Sequence, residues 1–135
     1  MKHFFVFLMC FHTLIGYSQV HKFKAFESCL DESGGESKIA DSKWKKVDIL
    51  VVVNLTTKKV KIYGNKQGDY DITMVNDPIK NKNDDEVLVF HAVDGDGDEC
   101  DILITVFKEH DADHYATMRI KYSIGDMVFR LKSDD

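Results

Sequence analysis

The run Asp94-Gly95-Asp96-Gly97-Asp98-Glu99-Cys100-Asp101 carries the densest chemistry in this chain. Acids at alternate positions let a tight loop aim several hard oxygens at one calcium ion. Asp94, Asp96 and Asp98 stand where the first three ligands of an EF-hand loop would stand. The pattern then breaks. Its sixth position, a glycine in such loops, is Glu99, and its twelfth, a glutamate, is Thr105. The same residues suit a hairpin turn, where Asp and Gly supply left-handed backbone angles. Calcium on Asp94, Asp96 and Asp98 is the one cofactor expectation, and a plain turn stands against it.

His110, Asp111, Asp113 and His114 form a second polar cluster. Zinc needs three or four converging ligands, and these residues lie in a link between strands, so a solvated turn accounts for them. His91 shares its strand face with Val87, Val89 and Val93, the setting of a core or edge histidine rather than of a general base. No serine stands in a G-x-S-x-G setting, and no nucleophile, base and orienting group come together in the sequence. No catalytic residue is therefore assigned. Asn54-Leu55-Thr56 fits a glycosylation sequon and reads equally as a strand end entering a turn. Trp44, Tyr63, Tyr70 and Tyr122 are candidates for a ligand or partner surface, because aromatic rings give contact area with a polar handle. Tyrosines also populate half-exposed strands for packing alone.

The residues that must position these groups begin with an export pattern. Lys2 precedes an apolar run, Phe4 to Ile15, and Gly16 and Ser18 place small residues before a cut after Ser18. The run is far shorter than the ~20 residues of a spanning helix, so residues 1–18 are expected to be a signal peptide and 19–135 a single domain, periplasmic or extracellular. Cys10 falls within the discarded piece. The chain has 18 Lys and Arg against 23 Asp and Glu, a net charge of −5. That balance excludes nucleic acid, which rewards clustered Lys and Arg, and it disfavours an anionic membrane surface. Cys29 and Cys100 remain in a compartment where disulfides persist. They are either bridged or buried as free thiols.

From Val47 onward the pattern is nearly all strand. Strands are expected at Val47–Asn54, Lys58–Tyr63, Asp69–Val75, Glu86–Val93, Cys100–Phe107, Tyr115–Tyr122 and Met127–Leu131. Short links between them imply antiparallel neighbours, and Asn76–Asp85, holding the only proline, is the long connector. The expected fold is all-β: one antiparallel meander of about seven strands, a curved sheet or small barrel. A short segment at the amino-terminal end, Val20–Leu30, is strand or helix and packs on it. One face collects Val47, Ile49, Val51, Val53, Val60, Ile62, Tyr70, Ile72, Met74, Ile102, Ile104, Val106, Met118 and Ile120 as the core. Leu50, Val52, Leu88, Phe90, Leu103 and Phe107 make a second apolar face. An antiparallel sheet with one wet side should be polar there, so a cover is expected, from Phe23, Phe26 and Trp44, from a partner, or from an apolar ligand.

HKFKAFES, Trp44 before VDILVVVNL, KVKIYG, the YDI of Tyr70–Ile72, the acidic turn ending at Cys100, and IKYS together resemble a group of small secreted proteins of Bacteroidota. The resemblance spans nearly the whole exported part and implies export and a β fold, with no activity attached. The functional expectation is a non-catalytic binding module for a protein or glycan, with a homodimer also open. The alternatives are a small barrel holding an apolar ligand and, behind it, a metal-dependent enzyme.

Overall fold

A computed structural model describes residues 20–33, 39–64, 67–109 and 114–133. Nine strands follow one another: β1 Val20–Asp31, β2 Lys45–Asn54, β3 Lys59–Tyr63, β4 Gly68–Val75, β5 Ile79–Lys80, β6 Glu86–Asp94, β7 Glu99–Val106, β8 Ala116–Tyr122 and β9 Gly125–Ser133. Consecutive strands pair antiparallel except β4 and β5; β4 pairs instead with β6, and β1 pairs with β9. Eight strands thus close into an up-and-down barrel, and the two-residue β5 lies beside the start of β6 as an extra edge. Closure removes most of the exposed sheet edge that an open meander would leave.

Two expectations are corrected by this topology: the amino-terminal segment is no cover, and the connector Asn76–Asp85 holds the short strand β5. The segment from Val20 is a wall strand that seals the barrel between β2 and β9, not a cover laid over a finished sheet. Its alternation of Phe23, Ala25 and polar partners is that of a half-buried strand. Pro78 sits between β4 and β5, where the ladder on β6 is interrupted, as a residue without an N–H requires.

The core fills the barrel. Val51, Val60, Ile102, Ile104, Met118, Ile120 and Leu131 are at most 1% exposed, so no water-sized space touches them. Burying each such side chain contributes about 1.5–3 kcal/mol. Half-buried apolar groups line both ends, with Phe23, Leu55, Leu88, Val106 and Tyr115 at one and Val47, Ile49, Tyr122 and Met127 at the other. The outward side carries charge, including Lys24 paired with Asp48 and Lys59 paired with Asp71.

The register corrects the reading of faces for two strands. Leu88 and Phe90 pair with Ile104 and Ile102 and point inward, so the outer apolar residues of β6 are Val87, Val89 and Val93. Met74, expected in the core, is 53% exposed. The cause is a bulge: Ile72 pairs with Ala92, but Met74 pairs with His91, leaving Thr73 as the extra residue. One inserted residue turns every later side chain to the opposite face. A similar shift at Phe26 re-phases β1 after Ala25, so that Cys29 pairs with Val128 on the outer side.

Candidate binding surface

The β6–β7 hairpin is built by its turn. The Asp94 carboxylate accepts the N–H groups of Asp96 and Asp98 at 3.0 and 2.9 Å, and Gly97 takes a φ of 88°, which favours glycine. The other Asp94 oxygen accepts the Tyr122 hydroxyl at 2.9 Å. The turn N–H groups, Asp98 first, hold the Asp94 carboxyl below the usual range, and burial pushes the Tyr122 phenol well above its own. Asp94 is thereby committed to the turn and to Tyr122, while Asp96 and Asp98 are exposed. The acidic run is organised as a hairpin.

Counting back from that turn places His91 opposite Asp101. The His91 Nδ1 lies within hydrogen-bond reach of an Asp101 oxygen, and its Nε2 is 3.2 Å from Nδ2 of Asn76. The Thr73 hydroxyl donates to the His91 carbonyl at 3.1 Å, anchoring the bulge to β6. Beside these groups runs an open groove of about 470 Å³, lined by Thr73, His91, Val93, Glu99 and Asp101 over the backbone of Ala92 and Cys100. On the same outer face Met74, 53% exposed, pairs with His91, and Ile79, 56% exposed, pairs with Val87 further along β6. A concave polar floor beside exposed apolar side chains is the combination that marks binding surfaces. An imidazole oriented by a carboxylate is half of a general-base arrangement. Of the lining residues with a hydroxyl or thiol, Thr73 spends its hydroxyl on the backbone and Cys100 turns its side chain into the core.

The sequence candidates are distributed, not gathered. Tyr70 and Tyr122 face the barrel interior near Asp94, with Tyr70 buried and its phenol raised by desolvation. Tyr63 is exposed at the end of β3. Trp44 follows a single 3₁₀ turn, Asp41–Lys43, and lies on the outer side with the Arg130 guanidinium 3.9 Å from its ring centre. Arg130 also donates to Glu27 at 2.9 Å. The four aromatics therefore do not make one surface. Cys29 and Cys100 are free buried thiols, the first on the outer side of β1 and the second in the core on β7, with β9 and β8 between them. Burial raises both thiols above their ordinary value. Asn54 spends its side-chain oxygen on the N–H groups of Thr56 and Thr57, as a strand end entering a turn does.

His110, Asp111 and Asp113 lie outside the described residues, as do residues 1–18, so the second cluster and the signal peptide receive no structural account. Among the described residues no group of three or more His, Cys, Asp or Glu is placed to hold a metal ion, and no helix is long and apolar enough to cross a membrane.

A third arrangement has no signature in the sequence. On the outer side, Arg119 donates to Asp31 and to Asp126, each at 2.7 Å, and both carboxylates are buried, at 7% and 3% exposed. No local signal announces a triad drawn from β1, β8 and β9. Asp101, by contrast, could have been found by pairing residues outward from the Asp94–Asp98 turn.

No family model, no curated protein and no solved structure matches this chain.

Proposed function

We propose that this chain is an exported, non-catalytic binding module that holds a protein partner on the β4–β6 side of its barrel. The carrying observation is that Met74 and Ile79, each more than half exposed, share the outer face of the β4–β6 side with the groove, Met74 being paired with the His91 that lines it. Large side chains exposed together on a small domain call for a partner, and the groove beside them supplies polar groups that fix orientation. The packed middle of the barrel supports a surface over an interior container for an apolar ligand, because the fully buried side chains there leave no water-sized room beside them. Export rests on the order of Lys2, the apolar run to Ile15 and the small residues before Gln19.

The test uses the mature chain as bait on an envelope fraction, beside the double variant Met74→Lys, Ile79→Lys. Both positions are exposed, so the double variant is expected to keep its fold by circular dichroism. The expected result is a defined protein retained by the natural chain and lost by the variant. A partner retained equally by both would overturn the assignment of this surface.

A further inference from the structure

We propose that the Asp96–Gly97 bond in the β6–β7 turn is a site of spontaneous covalent modification: Asp96 cyclises onto the Gly97 nitrogen and reopens as an isoaspartyl link. The neighbouring Asp94–Gly95 bond is held unreactive. The chain places both Asp-Gly pairs in one turn. In each pair the residue after the aspartate has no side chain to obstruct attack by its own nitrogen. Local sequence treats the two pairs alike, and the structure separates them.

The Asp94 carboxylate is engaged on both oxygens. One accepts the N–H groups of Asp96 and Asp98 at 3.0 and 2.9 Å, and the other accepts the Tyr122 hydroxyl at 2.9 Å. These donors favour the ionised form and hold the carboxyl below its usual range. Cyclisation needs the opposite, a neutral acid that can lose its oxygen as water and a Cγ free to swing toward the backbone. Asp96 carries no such restraint on its side chain. It is exposed, and no described residue donates to its carboxylate. The attacking nitrogen stands at the loosest point of the turn. Gly97 takes a φ of 88°, and nothing lies within 4 Å of where a Cβ would stand on Gly95 or Gly97. The Gly97 N–H donates to the Asp94 carbonyl at 3.1 Å, a single turn bond at an exposed tip, and such bonds open at small free-energy cost.

Water is the only co-reactant. The Gly97 nitrogen attacks Cγ of Asp96 and a C–N bond forms. The carboxyl O–H leaves with the proton of that nitrogen as one water, closing a five-membered succinimide. Water then adds to one of the two ring carbonyls and breaks its bond to the nitrogen. Opening at the main-chain carbonyl routes the chain through Cγ and leaves the free carboxylate on Cα, with no net change in mass. The backbone of the turn is then longer by one carbon, close to Glu99 and Asp101, which line the groove.

The test ages the mature chain at neutral pH, folded and in denaturant, and locates isoaspartate by electron-transfer fragmentation of its proteolytic peptides. That fragmentation reads the displaced main-chain carbon at each position separately. In the folded chain, isoaspartate is expected at Asp96 within about tenfold of its rate in denaturant, and at Asp94 at least about tenfold more slowly than at Asp96. In denaturant the two positions should react at similar rates. Asp96→Glu should abolish the signal at that position, because its ring would need six members. No isoaspartate at Asp96 in the folded chain, or a rate there more than about tenfold below the denatured one, would overturn the proposal. So would equal formation at Asp94 and Asp96 in the folded chain, or a signal that survives Asp96→Glu.

Discussion

The phenol of Tyr122 donates a 2.9 Å hydrogen bond to the carboxylate of Asp94, tying the end of β8 to the turn between β6 and β7. Two residues that the sequence offers for different purposes, a calcium ligand and a surface aromatic, are thus partners in one closure of the barrel. Removing the phenol leaves a carboxylate oxygen without its donor, and lost hydrogen bonds to charged groups are among the stronger ones. Tyr122→Phe is expected to lower Tm by a few degrees, whereas Tyr63→Phe, on an exposed ring, should leave it unchanged. Because the Asp94 oxygens are already engaged, millimolar calcium should not raise Tm. A calcium-dependent rise would contradict the turn reading.

The Arg119 triad predicts an acid sensitivity with a definite sign. The Ser33 hydroxyl and then Arg119 hold the Asp31 carboxyl far below the ordinary range. A depressed folded pKa stabilises fully above the unfolded value of about 3.9 and loses that contribution as pH falls through it. Tm should therefore be flat above about pH 5 and fall below about pH 4. Arg119→Met should blunt that acid slope and cost about 2–3 kcal/mol at neutral pH. That is less than the ~3–5 kcal/mol of a fully buried pair, because the Arg119 side chain keeps 22% of its surface in water. A variant as stable as the natural chain at neutral pH would show that the triad contributes nothing.

Met74 and Met118 separate the bulge from the core. Met118 is fully buried between β7 and β9, so Met118→Ala should cost about 2–5 kcal/mol in urea denaturation. Met74→Ala should change stability by less than about 0.5 kcal/mol. Equal costs at the two positions would contradict the register that the Thr73 bulge sets.

The two thiols give a mass-spectrometric check. Without reductant, the intact chain should carry free Cys29 and Cys100, slow to alkylate when folded and both alkylated in denaturant. A two-dalton deficit would indicate a bridge and a different placement of β1 against β7.

Much of the fold was legible because strand alternation and turn chemistry are local. Val47–Asn54 and Cys100–Phe107 were placed within a few residues of β2 and β7, and the run from Asp94 to Asp98 announced its hairpin. What was not legible depends on single insertions and on closure. Nothing near Thr73 signals that Met74 will leave the core, since the alternation of Tyr70, Ile72 and Met74 continues unbroken in the sequence. Sequence alternation puts Leu88 and Phe90 outward because β6 is apolar on both faces, and only pairing with Ile104 and Ile102 resolves it. The meeting of β1 with β9 joins the two ends of the chain, a contact no local pattern encodes, and the Arg119 triad and the Arg130–Trp44 stack depend on it. At the groove, His91 stands out in the sequence but its partners do not: Asp101 depends on the hairpin register, and Asn76 on the bulge.

The central claim, a partner held at the β4–β6 border, is tested most directly in the producing cell. A photo-crosslinking amino acid at Met74 should yield one discrete adduct after irradiation, reduced by Ile79→Lys, while the same group at the exposed Lys46 on β2 should yield none. Crosslinks of equal pattern from both positions, or none from Met74, would contradict the account.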